Sequence, residues 1–431
     1  MSARTEQSGQ RVLIAGAGMA GVQTAVQLRE RGWPGAVTLL GAEPHRPYDR
    51  PPLSKAVLTG GAGSGTTPGS TPGSTLENSF GAAFDVAFDV DFDVLGVELL
   101  LGRTATGVRP ADHELDTDAG PLPYDHLVLA TGAEPVPLPG GGAGVHLLRT
   151  LDDAERLRPV LAARQPLVVV GAGWIGAEFA TAAREAGCPV TVVEAAGHPL
   201  AGVLSPEVAG RLRRWYEEAG AVLLTGRTVT GVRPGGTQPY EVELSDGSAL
   251  PARAVVAGIG ARPATGWLAG SGVALDAFGA VLADDRLRSS VPGVYAVGDC
   301  ASFPSARYGR RLLVHHWDNA LVGPRTVASL LTAGEAGTPP YDPVPYFWSE
   351  QFGRFVQYAG HHGEGDEPLW RGDPDGPAWS VCWLRGGVLR ALLAVGRPRD
   401  IAQGRRLIER AAVLDPVRAA DPAVPLKSAV R

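Results

Sequence analysis

Val12-Leu13-Ile14-Ala15-Gly16-Ala17-Gly18-Met19-Ala20-Gly21 and Leu167-Val168-Val169-Val170-Gly171-Ala172-Gly173-Trp174-Ile175-Gly176 carry one pattern twice. Each is an apolar run running into Gly-x-Gly-x-x-Gly, followed by a helix-like stretch. A further apolar run then ends in an acid: Thr38-Leu39-Leu40 before Glu43, and Thr191-Val192-Val193 before Glu194. A single glycine motif matches by chance in many proteins; two complete strand–turn–helix–strand–acid frames, 155 residues apart, do not. The first glycine of each (Gly16, Gly171) permits a tight turn out of the strand. The second (Gly18, Gly173) leaves room for a pyrophosphate, and the third (Gly21, Gly176) lets helix and strand pack closely. The helix N-terminus then presents free N–H groups and its positive dipole end to the phosphates. Glu43 and Glu194 are placed to accept hydrogen bonds from a ribose diol; the alternative is that either acid only caps a loop. An acid at 194 repels a 2′-phosphate and so favours NADH over NADPH. Two dinucleotides in one chain suggest hydride transfer between them.

At 431 residues the chain suits two or three domains, and 44% hydrophobic residues supply sizeable cores. A formal net charge of −6 gives no basis for nucleic-acid binding. No apolar run is long enough to span a bilayer, and Met1 to Gln10 lacks the apolar core of a signal peptide, so a cytoplasmic enzyme is expected. The three cysteines, Cys188, Cys300 and Cys382, are far apart, with no Cys-x-x-Cys pair and no metal-ligand spacing. A disulfide reductase needs two neighbouring cysteines near its flavin. A thiol-dependent flavin peroxidase needs one after the first βαβ unit, where this chain reads Tyr48-Asp49-Arg50-Pro51-Pro52-Leu53-Ser54-Lys55. Electrons are therefore expected to leave without a protein thiol. His315, His316 and Asp318 lack the spacing of a known metal site, so no metal is assigned.

Residues 60–75 are of low complexity, with Thr-Pro-Gly-Ser twice, and read as a disordered loop. Phe-Asp-Val then occurs three times at a period of four, from Phe84, Phe88 and Phe92; a packed helix and a poorly specified insert both remain open. Within 119–136, Tyr124-Asp125-His126-Leu127-Val128-Leu129-Ala130-Thr131-Gly132 reads as a buried strand ending in a tight Thr-Gly turn, Val294-Tyr295-Ala296-Val297-Gly298-Asp299 as another strand entering an acidic turn, and 319–331 as a helix. From Pro343 aromatic β-type segments suggest a smaller α+β domain, and the tail after Pro416 reads as loose.

Together these segments resemble the FAD-dependent NADH:ferredoxin or rubredoxin reductases of oxygenase systems. The resemblance is carried by both fingerprints, Arg50-Pro-Pro-Leu-Ser-Lys55, Ala130-Thr131-Gly132, Gly298-Asp299, His316-Trp317-Asp318-Asn319-Ala320 and Phe347-Trp348-Ser349-Glu350-Gln351. It covers nearly the whole chain outside 60–95 and the tail. It implies an α/β protein with two Rossmann-like dinucleotide-binding domains and a C-terminal α+β domain. The FAD domain would be discontinuous over 1–118 and 253–331, with the NAD domain at 119–252, the C-terminal domain at 332–431 and a low-complexity insert at 60–95.

The resemblance also implies roles. Gly16, Gly18 and Gly21 would hold the FAD pyrophosphate and Glu43 the adenosine ribose. Arg50 would lie along the FAD phosphates or adenine, and Thr131 and Gly132 beside the same cofactor. Asp299 would accept from the ribityl hydroxyls, Trp317 would cover the isoalloxazine, and Lys55 would sit near its reactive nitrogen. For NADH the residues would be Gly171, Gly173, Gly176, Glu194 and Gly260, with Glu178 close to the nicotinamide. Blander readings stand beside these: a solvated loop lysine for Lys55, a helix N-cap for Asp299, ordinary core for Trp317, a surface acid for Glu178. The chain departs from the family at Gly197-His198-Pro199, where an arginine often follows the second acid. The implied reaction is NADH reducing FAD, which passes electrons singly to a separate carrier, since nothing in the chain ligates an iron–sulfur cluster. A small acidic ferredoxin serving a monooxygenase or dioxygenase is the expected partner, with Arg307, Arg310 and Arg311 as its docking cluster or else a solvated surface run. The alternatives are an NADH oxidase-type flavoprotein and an NADH-responsive redox-signalling protein.

Overall fold

The computed structural model describes residues 7–59, 76–77, 83–84, 86–142 and 144–431; the Thr-Pro-Gly-Ser repeats lie outside these. The chain divides into two units, one made of Met1–Asp49, Pro68–Glu134 and Arg262–Pro345, the other of Arg50–Thr67, Pro135–Ala261 and Tyr346–Arg431.

In the first unit β1 (Arg11–Ala15) leads into α1 (Met19–Glu30) and β2 (Ala36–Gly41), and β3 (Glu98–Leu101) and β4 (His126–Leu129) complete the labelled strands. With the later strand Val294–Ala296 they form a parallel five-stranded sheet in the order 294–296, β4, β1, β2, β3. Both faces of the sheet are covered, one by α1 and the helix Trp317–Ala333 and the other by a core that includes Val108, Leu115 and Leu268, which is why β1 and β4 read as unbroken apolar runs rather than alternating ones. α1 packs against the helix Trp317–Ala333 over a core that includes Val12, Ile14, Val22 and Val327. The chain order reverses between β1 and β4, the switch point at which open α/β sheets bind ligands beyond the strands' carboxyl ends.

The placement of β4 corrects the expected boundary at 119. His126–Leu129 lies in register with Val12–Ala15 on one side and with Val294–Ala296 on the other, so it belongs to the first sheet. A buried strand is legible locally, whereas its neighbour in a parallel sheet is a non-local choice. The Phe-Asp-Val repeats do not continue as a helix across 86–97, where a bridge from Ala87 to Tyr48 is followed by irregular chain and a turn at 92–96. Asp91 Oδ1 accepts from the backbone N–H groups of Asp93 and Val94 (3.1 and 3.0 Å), a local bond that competes with helix formation. Phe92 is buried in the same core as Val12, and Phe88 packs against it.

The second unit repeats the topology. β5 (Val145–His146), β6 (Leu167–Val170), α2 (Trp174–Glu185), β7 (Val190–Glu194), β8 (Val222–Thr225) and β9 (Ala254–Ala257) build a parallel sheet in the order β5, β9, β6, β7, β8. β9 was expected to lie beyond the boundary at 252, but its pairing with β6 keeps it in this sheet. The same unit includes the C-terminal segment, where β10 (Tyr346–Gln351), β11 (Arg354–Gly360), β12 (Glu367–Arg371), β13 (Trp379–Arg385) and β14 (Val388–Val395) form an antiparallel sheet in the order β10, β11, β14, β13, β12. α3 (Pro398–Glu409) packs on β14 and β11. Among the described residues no helix is long and apolar enough to cross a membrane.

The tail after Pro416 is packed rather than loose. Arg371, 1% exposed, makes a two-point contact with Asp400 (2.9 and 3.3 Å) and donates to the carbonyls of Ala419, Asp421 and Val424. Asp400 also receives Arg397 and Ser380. Burial raises the Asp400 carboxyl, and the hydrogen bonds from Arg371 and Arg397 outweigh it, leaving the group below its ordinary range. One guanidinium thus satisfies tail carbonyls that neither helix nor sheet reaches, and Ala419, Leu426 and Ala429 close over it fully buried. Arg371→Leu is expected to lower stability in urea denaturation by about 3–5 kcal/mol, because it removes one of two guanidinium partners from a buried carboxylate and leaves three carbonyls without their donor. It should also open the tail to trypsin at Arg418 and Lys427.

Candidate active site: two dinucleotide loops and a buried carboxylate

Both glycine loops have the geometry their sequence requires. Gly16 sits at φ +114°, and a Cβ there would lie 2.3 Å from the Ala130 carbonyl oxygen; one at Gly21 would lie 1.8 Å from that of Gly16. The second loop repeats this, with Gly171 at φ +99° and a Cβ on Gly176 meeting the Gly171 oxygen at 2.0 Å. The middle glycines differ: a Cβ at Gly18 would meet nothing within 4 Å, and at Gly173 only the Gly258 oxygen at 3.8 Å. Gly18 and Gly173 are the N-cap residues of α1 and α2 and have no side chain to cap with, so both helices begin with donors directed into open space. This is a cradle for a diphosphate.

The two acids differ in detail. Glu43, just beyond β2, accepts from the Tyr48 hydroxyl (2.5 Å). Glu194 ends β7 and reaches back to the loop, accepting from the N–H of Ala172 (2.7 Å) through Oε2 and of Ala196 (2.8 Å) through Oε1. It thus braces the turn between Gly171 and Gly173. Gly260, at φ +122°, lies in the turn after β9, where its carbonyl accepts from Val136 (3.0 Å).

In the first unit the remaining expected residues gather at the sheet's carboxyl edge. Gly298 (φ +72°) places the Asp299 turn against the start of α1, since a Cβ there would lie 2.9 Å from Ala20 Cβ, with Ala320 at 3.7 Å. Asp299 therefore stands where the N-termini of two helices converge. Trp317 opens the second of these, and its indole N–H donates to the buried Asp49 (2.8 Å). Thr131 donates to the Ala264 carbonyl (2.8 Å), and Ala264 N–H returns a bond to Gly132 (2.9 Å).

The second unit brings together three segments that are remote in sequence. Glu178, in the second turn of α2, is 5% exposed, which removes its reading as a surface acid. Its Oε2 accepts from Lys55 Nζ (2.7 Å) and Ser54 Oγ (2.5 Å), and its Oε1 from Ser349 Oγ (2.7 Å). A buried carboxylate needs such company, since desolvation is costly unless the charge is paired and its lone pairs are used. Lys55 also donates to the Pro51 carbonyl (3.3 Å), and its third ammonium proton has no acceptor among the described residues. Only two of the chain's 39 basic residues are lysines, Lys55 and Lys427. In a chain that otherwise uses arginine, a compact point charge at 55 matches a position that needs an ammonium, not a planar fork. Arg50, one turn earlier, donates to the Arg149 carbonyl (2.6 Å).

Sequence reasoning missed Ser54, Ser349 and Asp49. For Ser349 the signal lay in β10: Phe347, Ser349 and Gln351 share one face, so polar side chains fall where an apolar one marks the interior. The expected docking cluster is divided. Arg307 is tied to Asp342, and Arg311 is committed to Ser302 and the Ala283 carbonyl, while Arg310 is exposed. All three cysteines are buried; burial pushes the Cys300 thiol up to about 11 and Cys382 to about 12.

Two Rossmann-type units with intact phosphate cradles, and no accessible thiol among the cysteines, define a two-dinucleotide flavoprotein. The chain belongs to the pyridine nucleotide-disulphide oxidoreductase family, whose model matches residues 10–322, followed by a reductase C-terminal domain over 346–430. It is an oxidoreductase using FAD and a nicotinamide dinucleotide. It is 34% identical to rhodocoxin reductase of Rhodococcus erythropolis (97% of this chain, 94% of the relative). It is also 34% identical to the ferredoxin–NAD(+) reductase component of the p-cumate 2,3-dioxygenase system of Pseudomonas putida (97% and 98%). Among solved structures it resembles the covalent putidaredoxin reductase–putidaredoxin complex, with a TM-score of 0.87, 32% identity and 97% of each chain covered.

Gly18→Val is expected to leave the fold intact, because the backbone there is extended and the space is open, yet to fill the cradle of the first loop. The purified variant should keep the circular dichroism of the wild type and lose most of its flavin absorbance.

Proposed function

We propose that this protein is a cytoplasmic NADH:ferredoxin reductase that takes two electrons from NADH and delivers them singly to a small acidic [2Fe–2S] ferredoxin serving an oxygenase. The observation that carries the reading is the buried Lys55–Glu178 ion pair in the segment after the first dinucleotide frame, in a chain whose three cysteines are buried and held protonated. Thiol-dependent reduction has no group to run on; outer-sphere transfer to a protein carrier needs none. The p-cumate dioxygenase relative is named as a ferredoxin–NAD(+) reductase, and the solved neighbour is a reductase bound to its redoxin.

The residue roles follow from chemistry at each position. Gly16, Gly18, Gly21, Glu43, Asp299 and Trp317 would hold FAD, with Arg50, Thr131 and Gly132 beside it. Gly171, Gly173, Gly176, Glu194 and Gly260 would hold NADH. When bound, FAD supplies two-electron acceptance and one-electron release. Lys55 supplies positive charge where negative charge develops, and the unused ammonium proton is its means of doing so. Glu178 fixes that ammonium and neutralises part of its charge. Glu194, held in place by the N–H groups of Ala172 and Ala196, rejects a 2′-phosphate by charge repulsion. Arg310 is the docking arginine with a side chain available to an acidic partner, so ferredoxin reduction should weaken with salt.

The test compares acceptors and donors. NADH-driven reduction of a [2Fe–2S] ferredoxin should be fast and salt-sensitive, with little oxygen consumed and little activity with NADPH. Rapid oxygen uptake without stimulation by ferredoxin would instead identify an oxidase, and slow turnover with every acceptor a signalling protein. Glu194→Ala should raise the KM for NADH and narrow the gap to NADPH; equal use of the two by the wild type removes that role for Glu194.

A further inference from the structure

The third hydrogen bond on Glu178 comes from the C-terminal sheet, and its direction is fixed. Ser349 is fully buried, and Gln351, 1% exposed and on the same face of β10, donates its Nε2 to Ser349 Oγ (3.2 Å). With that oxygen accepting from an amide, the single hydroxyl proton goes to Glu178 Oε1 at 2.7 Å. Lys55 and Ser54 both act on Oε2, so among the described residues Ser349 is the only donor to Oε1. A carboxylate held through one oxygen rotates about its last torsion, which is broad and roughly two-fold. Held through both, it has one orientation.

The contact is part of a register between α2 and β10. Trp174 meets the Phe347 ring edge-on at 4.4 Å, Glu178 meets Ser349, and Thr181 Oγ1 accepts from the N–H of Phe352 at 2.9 Å. Four helical residues rise about 6 Å and two strand residues about 6.7 Å, so the first two rungs match without distortion. The C-terminal sheet therefore reaches the helix that follows the second phosphate loop through side chains placed at matching intervals.

We propose that Ser349, oriented by Gln351, is a positioning residue for the reduction of FAD by NADH: it locks the Glu178 carboxylate and thereby the Lys55 ammonium. The inference rests on the reading of Lys55 and Glu178 given above. It makes the C-terminal domain a contributor to hydride transfer.

The test is a double-mutant cycle read by anaerobic rapid mixing of the FAD-loaded enzyme with NADH. Ser349→Ala should lower the limiting rate of flavin bleaching about tenfold and change the apparent Kd for NADH less than about twofold. Introduced into Glu178→Gln, it should cost less than about twofold further, because the group it acts through is already altered. Gln351→Met, which leaves the hydroxyl in place but undirected, should give a smaller loss of the same kind. A second readout needs no turnover. With two lysines in the chain, 15N-lysine labelling gives two side-chain signals, and Ser349→Ala should move that of Lys55 and leave Lys427 in place. An unmoved Lys55 signal, or equal losses from Ser349→Ala with and without Glu178, overturns the proposal. A wild type that is bleached by NADH yet reduces no ferredoxin would remove the proposed partner while leaving this inference standing.

Discussion

A charge buried away from water must be paid for by its neighbours, and Glu178 is a buried charge in the second unit that ties together three segments remote in sequence. Its donors lie on a 3₁₀ turn after the first dinucleotide frame and on the first strand of the C-terminal sheet, more than 120 residues away in either direction. Removing any one of them leaves a lone pair or a charge unmatched, at a cost of about 1–3 kcal/mol for a neutral donor and more for the ion pair. The same contacts that offset desolvation also fix where the Lys55 ammonium points. On the proposed roles of Lys55 and Glu178, one constellation serves both stability and chemistry.

The two dinucleotide frames show how far a repeated backbone solution can carry different chemistry. In both, the first glycine turns and the third admits the helix, and a methyl group at either position collides with backbone oxygen. What differs is the acid. Glu194 is drawn into the loop it follows, while Glu43 is paired with Tyr48. The buried cysteines complete the contrast with thiol-using members of the fold: the sulfur is present, but in the core, where burial holds it protonated.

Much of this was legible in the sequence because it is local. The glycine spacing, the apolar runs and the acids 22 and 18 residues after the last glycine of each loop are properties of short windows, and both sheets and both loops stand where those windows put them. The boundaries at 119 and 252 moved because His126–Leu129 and Ala254–Ala257 choose their neighbours across the chain. The tail was misread because its composition suggests looseness, whereas a single buried guanidinium from β12 supplies the donors it needs. Ser349 looked ordinary because a serine on a strand gains meaning only from the helix it faces. Arg307 and Arg311 looked like free surface charge because sequence does not reveal which cations are spent on their own chain, here on the carbonyls of Asp342 and Ala283.

The most direct measurement is anaerobic rapid mixing of NADH with the FAD-loaded wild type and with Lys55→Met, a substitution that keeps the length of the side chain and removes its charge. The account predicts full flavin content in both and a loss of about a hundredfold in the bleaching rate of the variant, with NADH binding little changed. Equal bleaching rates would contradict it, since the ammonium held by Glu178 would then contribute nothing to the transfer of electrons from NADH.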